Sequence, residues 1–88
     1  MIIYKQIEKS FSQIEKLFSK KALLEFSKNR PGHLKEYNFG LGTMIRLKVL
    51  RPKSTLYLSF IKNGFIDRDE MTMEIIKAYH RHLHYIHK

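Results

Sequence analysis

Apolar residues recur at helical spacing along almost the whole chain, and this period constrains what it can fold into. The clearest case lies near the N-terminus, where one apolar stripe contains Ile7, Phe11, Ile14, Leu17 and Phe18. Positions i, i+4, i+7, i+10 and i+11 share one face at 3.6 residues per turn. We therefore predict one amphipathic α-helix over about residues 3–19.

The next two helices are bounded by proline and glycine. A short helix over about residues 21–28 ends at Pro31-Gly32, because the residue before a proline is driven out of the α region. A third helix over about residues 33–48 is predicted from a second apolar stripe, which contains Leu34, Tyr37, Leu41, Met44 and Ile45.

Two glycines fall inside this third helix, Gly40 and Gly42, at the two edges of its stripe. We expect the missing side chains to let neighbouring helices approach closely at both positions. An alternative is that Asn38 caps a helix beginning only at Phe39. The Gly-x-Gly pair is not a phosphate loop, since the dinucleotide fingerprint needs a third glycine and a preceding strand.

Residues 55–63 are apolar on all sides, so they fit either a helix or a strand. Ser54 before them is a helix N-cap residue, and Asn63-Gly64 after them suits a left-handed C-terminal cap. This capping chemistry favours a helix.

The last helix has the strongest start signal in the chain. Asp67 is the predicted N-cap, and Glu70 three residues later completes an Asp-led capping box. Ile66 and Met71 have the spacing of a hydrophobic staple across that cap.

The helical period and the length of 88 residues together predict a compact single-domain all-α bundle of four to five helices over residues 1–88. The chain has no cysteine, and no apolar run approaches the roughly 20 residues that span a bilayer. Its first residues lack the apolar core of a signal peptide. We expect a cytoplasmic protein.

The net charge is +9, and residues 37–66 contain no acid at all. The candidate binding residues are the five cations of that stretch, Arg46, Lys48, Arg51, Lys53 and Lys62. Such a surface suits an acidic protein face or nucleic acid. The interleaved aromatics Tyr57, Phe60 and Phe65 could stack on bases, although a place in the core is the preferred interpretation.

His80, His84 and His87 follow the spacing i, i+4, i+7 and so lie on one face of the last helix. A metalloprotease helix needs Glu directly after the first histidine, whereas Arg81 stands there. We interpret these histidines as a polar flank, and we expect no metal and no cofactor.

The order of several motifs resembles a family of small bacterial all-helical proteins that carries only a domain-of-unknown-function label. These motifs are Phe39-Gly40-Leu41-Gly42-x-x-Ile45-Arg46, Leu50-x-Pro52-x-Ser54-x-Leu56-Tyr57 and Asp67-x-Asp69-Glu70-Met71-Thr72. The resemblance spans residues 22–83 and implies that residues 1–21 form a member-specific N-terminal helix. The family has no assigned catalytic residues to carry over, and the resemblance implies an interaction role such as toxin neutralisation.

Three functions are compatible with the sequence. The first is a non-enzymatic immunity or inhibitor protein whose cations meet an acidic face of a partner protein. The second is a small basic nucleic-acid-binding protein that uses the same cations. The third is a metal-independent ribonuclease-like enzyme that uses His80 or His84. We prefer the first.

Overall fold

The computed structural model describes residues 2–86, and within them it contains six α-helices, one 3₁₀ helix and no strand. In chain order these are α1 (Ile2–Glu8), α2 (Phe11–Glu15), α3 (Lys20–Lys28), the 3₁₀ helix (Pro31–Asn38), α4 (Leu41–Lys48), α5 (Thr55–Lys62) and α6 (Arg68–Ile86). The all-α prediction is confirmed. The predicted number of four to five helices is too low, because two of the predicted helices are each divided.

The first division falls at Ser10, which separates α1 from α2. The Ser10 hydroxyl donates to the Ile7 carbonyl at 2.6 Å, and the Ser10 amide donates to the same oxygen at 2.9 Å. These bonds close a tight turn in place of the regular helical ladder. The apolar spacing was predicted correctly, since Ile7, Phe11 and Ile14 are all buried, but the single helix over residues 3–19 was wrong.

The second division separates the 3₁₀ helix from α4, so the predicted helix over residues 33–48 was also wrong. The Asn38 carbonyl accepts a hydrogen bond from the Arg46 side chain at 3.0 Å, and α4 begins only at Leu41 with Gly40 as its N-cap. The alternative start at Phe39 lies two residues from the observed one. Met44 does not belong to the buried stripe, because it is 37% exposed.

The two glycines of this segment behave differently. A Cβ added at Gly42 would lie 3.0 Å from Asn38 Oδ1 and 3.1 Å from Thr72 Cγ2, so close packing at this position is confirmed. A Cβ added at Gly40 would have no neighbour within 4 Å. Close approach at Gly40 was a wrong prediction, since this residue lies before α4 rather than within a packed helix.

Capping side chains define the starts of α3 and α5. The Ser19 hydroxyl accepts from the Ala22 amide at 3.1 Å, and the Ser54 hydroxyl accepts from the Tyr57 amide at 3.1 Å. Gly64 follows α5 with a φ of 90°, the left-handed conformation of a C-terminal cap. The helices predicted over residues 21–28 and 55–63 are therefore confirmed.

The start of α6 agrees in part with the prediction. Asp67 Oδ1 accepts from the Asp69 amide at 2.8 Å, which confirms Asp67 as the capping residue. The hydrophobic staple is not formed, because Ile66 is 87% exposed whereas Met71 is fully buried. The Arg68 side chain lies on the side of the α6 N-terminus that faces α4, and Ile66 is exposed to solvent.

The long helix α6 is the common wall of the fold, since α1, α3, the 3₁₀ helix and α4 all pack against it. The fully buried residues form one cluster that includes Ile3, Ile14, Phe26, Leu34, Ile45, Leu50, Phe60, Met71, Ile75 and Ile76. Within the described range, no helix combines the length and the apolar character that crossing a membrane requires.

Candidate functional site

The candidate cations lie on α4, on α5 and in the connector between them. Lys48 is the last residue of α4, Arg51 and Lys53 lie in the connector, and all three are exposed. We call these three residues the basic surface. Lys62 is also exposed, but it lies at the other end of α5, about 10 Å along that helix at 1.5 Å per residue.

The connector that carries the basic surface is a tight turn. The Ser54 amide donates to the Arg51 carbonyl at 3.0 Å, which closes a four-residue turn. Pro52 takes its second position and Lys53 its third, where the φ of Lys53 is 70°. This pattern is that of a type II turn, whose third position normally belongs to glycine. Lys53 is therefore held in a left-handed conformation that an L-residue adopts at a cost.

Arg46, the remaining candidate cation, uses its side chain for hydrogen bonds within the fold. Its Nη1 donates to Asn38 Oδ1 at 2.9 Å, and its Nη2 donates to the Asn38 carbonyl at 3.0 Å and to Thr43 Oγ1 at 3.3 Å. Its Nη1 also lies 3.4 Å from Asp69 Oδ1. The guanidinium thus joins the end of the 3₁₀ helix to α4 and to the start of α6.

Arg68 makes internal hydrogen bonds that were not predicted from the sequence. Its Nη2 donates to the carbonyls of Arg46 at 3.1 Å and Leu50 at 3.2 Å, and these carbonyls lie at the C-terminal end of α4. A cation in the first turn of α6 opposes that helix's own dipole. This unfavourable placement was the sequence signal that Arg68 has a negative partner elsewhere, namely the carbonyl end of another helix.

The aromatic residues near the cations belong mainly to the core. Phe60 is fully buried and packs edge-on against Phe65, with ring centroids 4.9 Å apart, and Phe65 and Tyr57 are half-buried. Only Phe39 is exposed among the aromatic side chains that the structure describes. The preferred interpretation of Phe60 as core is thus confirmed.

An exposed apolar stripe that runs along α4 from Phe39, the residue before its N-cap, was also not predicted. Phe39 is 83% exposed, Leu47 is 64% exposed, and Met44 lies beside them. Met44 was predicted to lie in the core and Leu47 had no predicted role, because large apolar residues are usually buried. The exposure of these side chains depends on the start of α4 and on its rotation, which the sequence pattern left open.

The two described histidines of the predicted face connect α6 to the C-terminal end of α3. His80 Nε2 lies 2.8 Å from the Asn29 carbonyl, and His84 Nε2 lies 2.6 Å from the Ser27 carbonyl. A carbonyl oxygen can only accept, so both Nε2 atoms carry the hydrogen. The pKa of His80 lies below its ordinary value, mainly because the side chain is buried. The hydrogen bond to the Asn29 carbonyl acts in the opposite direction, and the neighbouring His84 lowers the pKa further.

Metal binding gains no geometric support from these residues. His87 lies outside the described residues, and the described residues contain no group of three or more possible metal-ligating side chains. His82 faces another way and packs on Phe11, with ring centroids 4.6 Å apart.

Comparison with known proteins gives a family but no function. No curated protein and no solved structure matches the chain. The family model described as Domain of unknown function (DUF6794) matches residues 3–83. This match extends N-terminally of the 22–83 span that the resemblance implied, and it includes the buried residues Ile3, Ile7 and Ile14. The chain therefore belongs to the DUF6794 family.

Proposed function

We propose that this chain is a non-enzymatic bacterial binding protein, of the immunity or inhibitor type, which covers an acidic face of a partner protein with its basic surface. The observation that carries the proposal is the geometry of Lys48, Arg51 and Lys53. They are exposed, they lie within six residues of one another, and no acid interrupts the stretch from residue 37 to residue 66. Complementary charge steers such partners together and excludes others.

A nucleic-acid partner would use the same cations for phosphate contacts. Sequence-tolerant binding of single strands also uses exposed aromatic rings on which bases stack. Phe60 is buried, and Tyr57 and Phe65 are half-buried. Phe39 is exposed, but it lies more than two helical turns from Lys48, whereas the exposed aliphatic side chain of Leu47 adjoins that cation. Exposed aliphatic groups beside cations favour a protein partner.

A ribonuclease-like activity would require His80 or His84 to exchange a proton with a substrate. The Nε2 atoms of both histidines face backbone carbonyls of the Ser27–Asn29 segment. This arrangement favours a role in holding α3 against α6, and so it supports a binding protein without catalysis.

The experiment is affinity capture from the native host, followed by measurement of the dissociation constant for the captured protein. The test variant reverses the basic surface by Lys48→Glu, Arg51→Glu and Lys53→Glu. The matched control makes the same change in charge on α3, by Lys20→Glu, Lys21→Glu and Lys28→Glu. We expect the test variant to lose affinity by about a hundredfold and the control to lose less than about threefold, since only paired charges contribute strongly.

Two results would contradict this function. Equal losses in both variants would show non-specific attraction to a chain of net charge +9. Tight binding to random duplex DNA or RNA, with a steep decrease in affinity as salt increases, would indicate the nucleic-acid alternative.

A further inference from the structure

The exposed side of α4 carries apolar groups in a helical line. Phe39 and Leu47 are separated by eight residues, and Thr43 lies midway between them. Phe39 and Gly40 have right-handed helical dihedral angles, and the Thr43 hydroxyl donates to the Phe39 carbonyl. Phe39 is therefore held one turn before Thr43 and two turns before Leu47, at a distance of about 12 Å along the axis.

This line is not used by the fold. Phe39 is 83% exposed, Leu47 is 64% exposed and Met44 beside them is 37% exposed, whereas Leu41 and Ile45 on the opposite side pack into the core. We call Phe39, Met44 and Leu47 the α4 stripe. Large apolar side chains in a row on one exposed helix face mark an interaction surface more often than isolated ones do.

The shape and charge of this surface indicate its occupant. A stripe two turns long that covers somewhat more than a third of the helix circumference matches the contact that one helix makes with another. The basic surface lies at the C-terminal end of the stripe, where α4 ends at Lys48 and the turn with Arg51 begins. The partner helix should therefore carry its own apolar stripe with Asp or Glu beside it.

We infer that the α4 stripe docks an acidic amphipathic helix of the partner protein. This inference rests on the proposed function and specifies the partner element that the basic surface meets. A second copy of this chain is a poorer occupant, because α4–α4 pairing would bring together two molecules of net charge +9. The apolar contacts supply the affinity, and Lys48 and Arg51 set the orientation of the docked helix.

The probe is a synthetic peptide of about 18 residues, long enough to form a helix on binding. It carries Leu at i, i+3, i+4 and i+7 and Glu at the other positions, with both ends blocked. One control peptide has the same residues reordered so that Leu lies on all sides, and another has Lys in place of Glu. Binding is measured by fluorescence anisotropy of labelled peptide, and its location by amide chemical shifts of the full ¹⁵N-labelled chain.

We expect only the acidic amphipathic peptide to bind, with shifts concentrated in residues 39–51. Phe39→Ser and Leu47→Ser should each weaken binding about tenfold, the usual effect of removing an apolar anchor. Leu24→Ser is the matched control, because Leu24 on α3 is 55% exposed and should change binding less than about twofold. Thermal unfolding by circular dichroism verifies that every variant is folded.

Three outcomes would overturn the inference: equal binding of the reordered peptide, unchanged binding by Phe39→Ser and Leu47→Ser, or shifts concentrated outside residues 39–51. Experiments with the captured natural partner distinguish failure of the docking inference from failure of the proposed function. If reversal of the basic surface abolishes capture while Leu47→Ser leaves it intact, the proposed function holds and the α4 stripe is not the docking site.

Discussion

A methyl group at Gly42 would lie 3.0 Å from Asn38 Oδ1, 3.1 Å from Thr72 Cγ2 and 3.2 Å from Arg46 Nη1. Thr72 is fully buried, and the other two groups are hydrogen-bonded to each other, so these neighbours have little freedom to move. We expect Gly42→Ala to lower the free energy of unfolding by about 1–3 kcal/mol, the usual cost of overpacking. Urea unfolding followed by circular dichroism measures this change.

Gly40→Ala is the matched control for that substitution, because the added methyl group meets nothing within 4 Å. It should cost less than about 1 kcal/mol, the difference between Gly and Ala at an N-cap. Equal losses at the two positions would contradict the packing account of Gly42.

Lys53 has a φ of 70° in the turn that carries the basic surface. The left-handed conformation costs an L-residue about 1–2 kcal/mol, while glycine loses about 0.4–1 kcal/mol more chain entropy on folding. We expect Lys53→Gly to leave the free energy of unfolding unchanged or raise it by about 0.5 kcal/mol, as measured by urea unfolding.

Lys53→Gly should also weaken partner binding as much as Lys53→Ala does, because both variants lose the cation. A loss of stability in Lys53→Gly would show that this backbone conformation is not strained. Full binding by both variants would remove Lys53 from the basic surface.

Helices α3 and α6 are held together by the paired histidines of α6. His80 is buried and its pKa is lowered, so the unfolded chain takes up a proton at this position before the folded chain does. The unfolded state is then favoured as the pH falls through about 6.5, the ordinary pKa of histidine. We expect the free energy of unfolding to fall between pH 7.5 and the lowered pKa of His80, and to lose nothing more from this group below it.

The measurement is urea unfolding at a series of pH values for the wild type, His80→Gln and His33→Gln. The dependence on pH should be weaker in His80→Gln, which has lost the titrating group. His33→Gln is the control for removing a histidine side chain at an exposed position. An identical pH dependence in wild type and His80→Gln would refute this role of His80.

The elements that local chemistry determines could be predicted from sequence, and those that tertiary contacts determine could not. The caps Ser54 and Asp67 act within a few residues, and both were predicted correctly. The late start of α4 depends on the Arg46 side chain reaching Asn38, eight residues away. The division at Ser10 rests on a hydrogen bond to Ile7 that is local, but it leaves the apolar spacing of a continuous helix unchanged. No period in the sequence contains that information.

The candidate site, like the fold, could be predicted only in part from the sequence. The acid-free stretch with its cations can be counted in the sequence, and the structure exposes Lys48, Arg51 and Lys53. The internal contacts of Arg46 and the exposure of Leu47 follow from how α4 rotates against α6, which depends on the whole core. Binding of a partner by these residues stays a prediction.

At the scale of the whole molecule, the ring of Tyr79 joins three helices through aromatic contacts. Phe26 of α3 lies 6.0 Å from Tyr79 of α6 between ring centroids, and Phe11 of α2 lies 5.3 Å from the same ring. Burial raises the pKa of Tyr79 to about 12, with a smaller contribution from Glu15. The Tyr79 ring thus links α2 and α3 to α6.

Removal of one ring should show how narrow the stability margin is. Phe26→Ala removes a fully buried ring and should cost about 3–5 kcal/mol. A domain of this size has a total of about 5–10 kcal/mol, so the substitution removes about a third of it or more, and we expect a large decrease in melting temperature. Phe39→Ala makes the same chemical change at an exposed position and should shift the melting temperature little. Similar melting temperatures for the two variants would contradict the burial that distinguishes these residues.

The position of α6 as common wall has a consequence for synthesis on the ribosome. The helices α1, α3 and α4 and the 3₁₀ helix are all made before the helix on which they pack. α1 can pack on α5, and α4 on the 3₁₀ helix, before α6 is made, but the apolar faces directed at α6 remain uncovered while translation proceeds. A nascent chain in that state is a substrate for chaperones. Folding should be completed only when the residues from Arg68 onward have left the exit tunnel, as a late event.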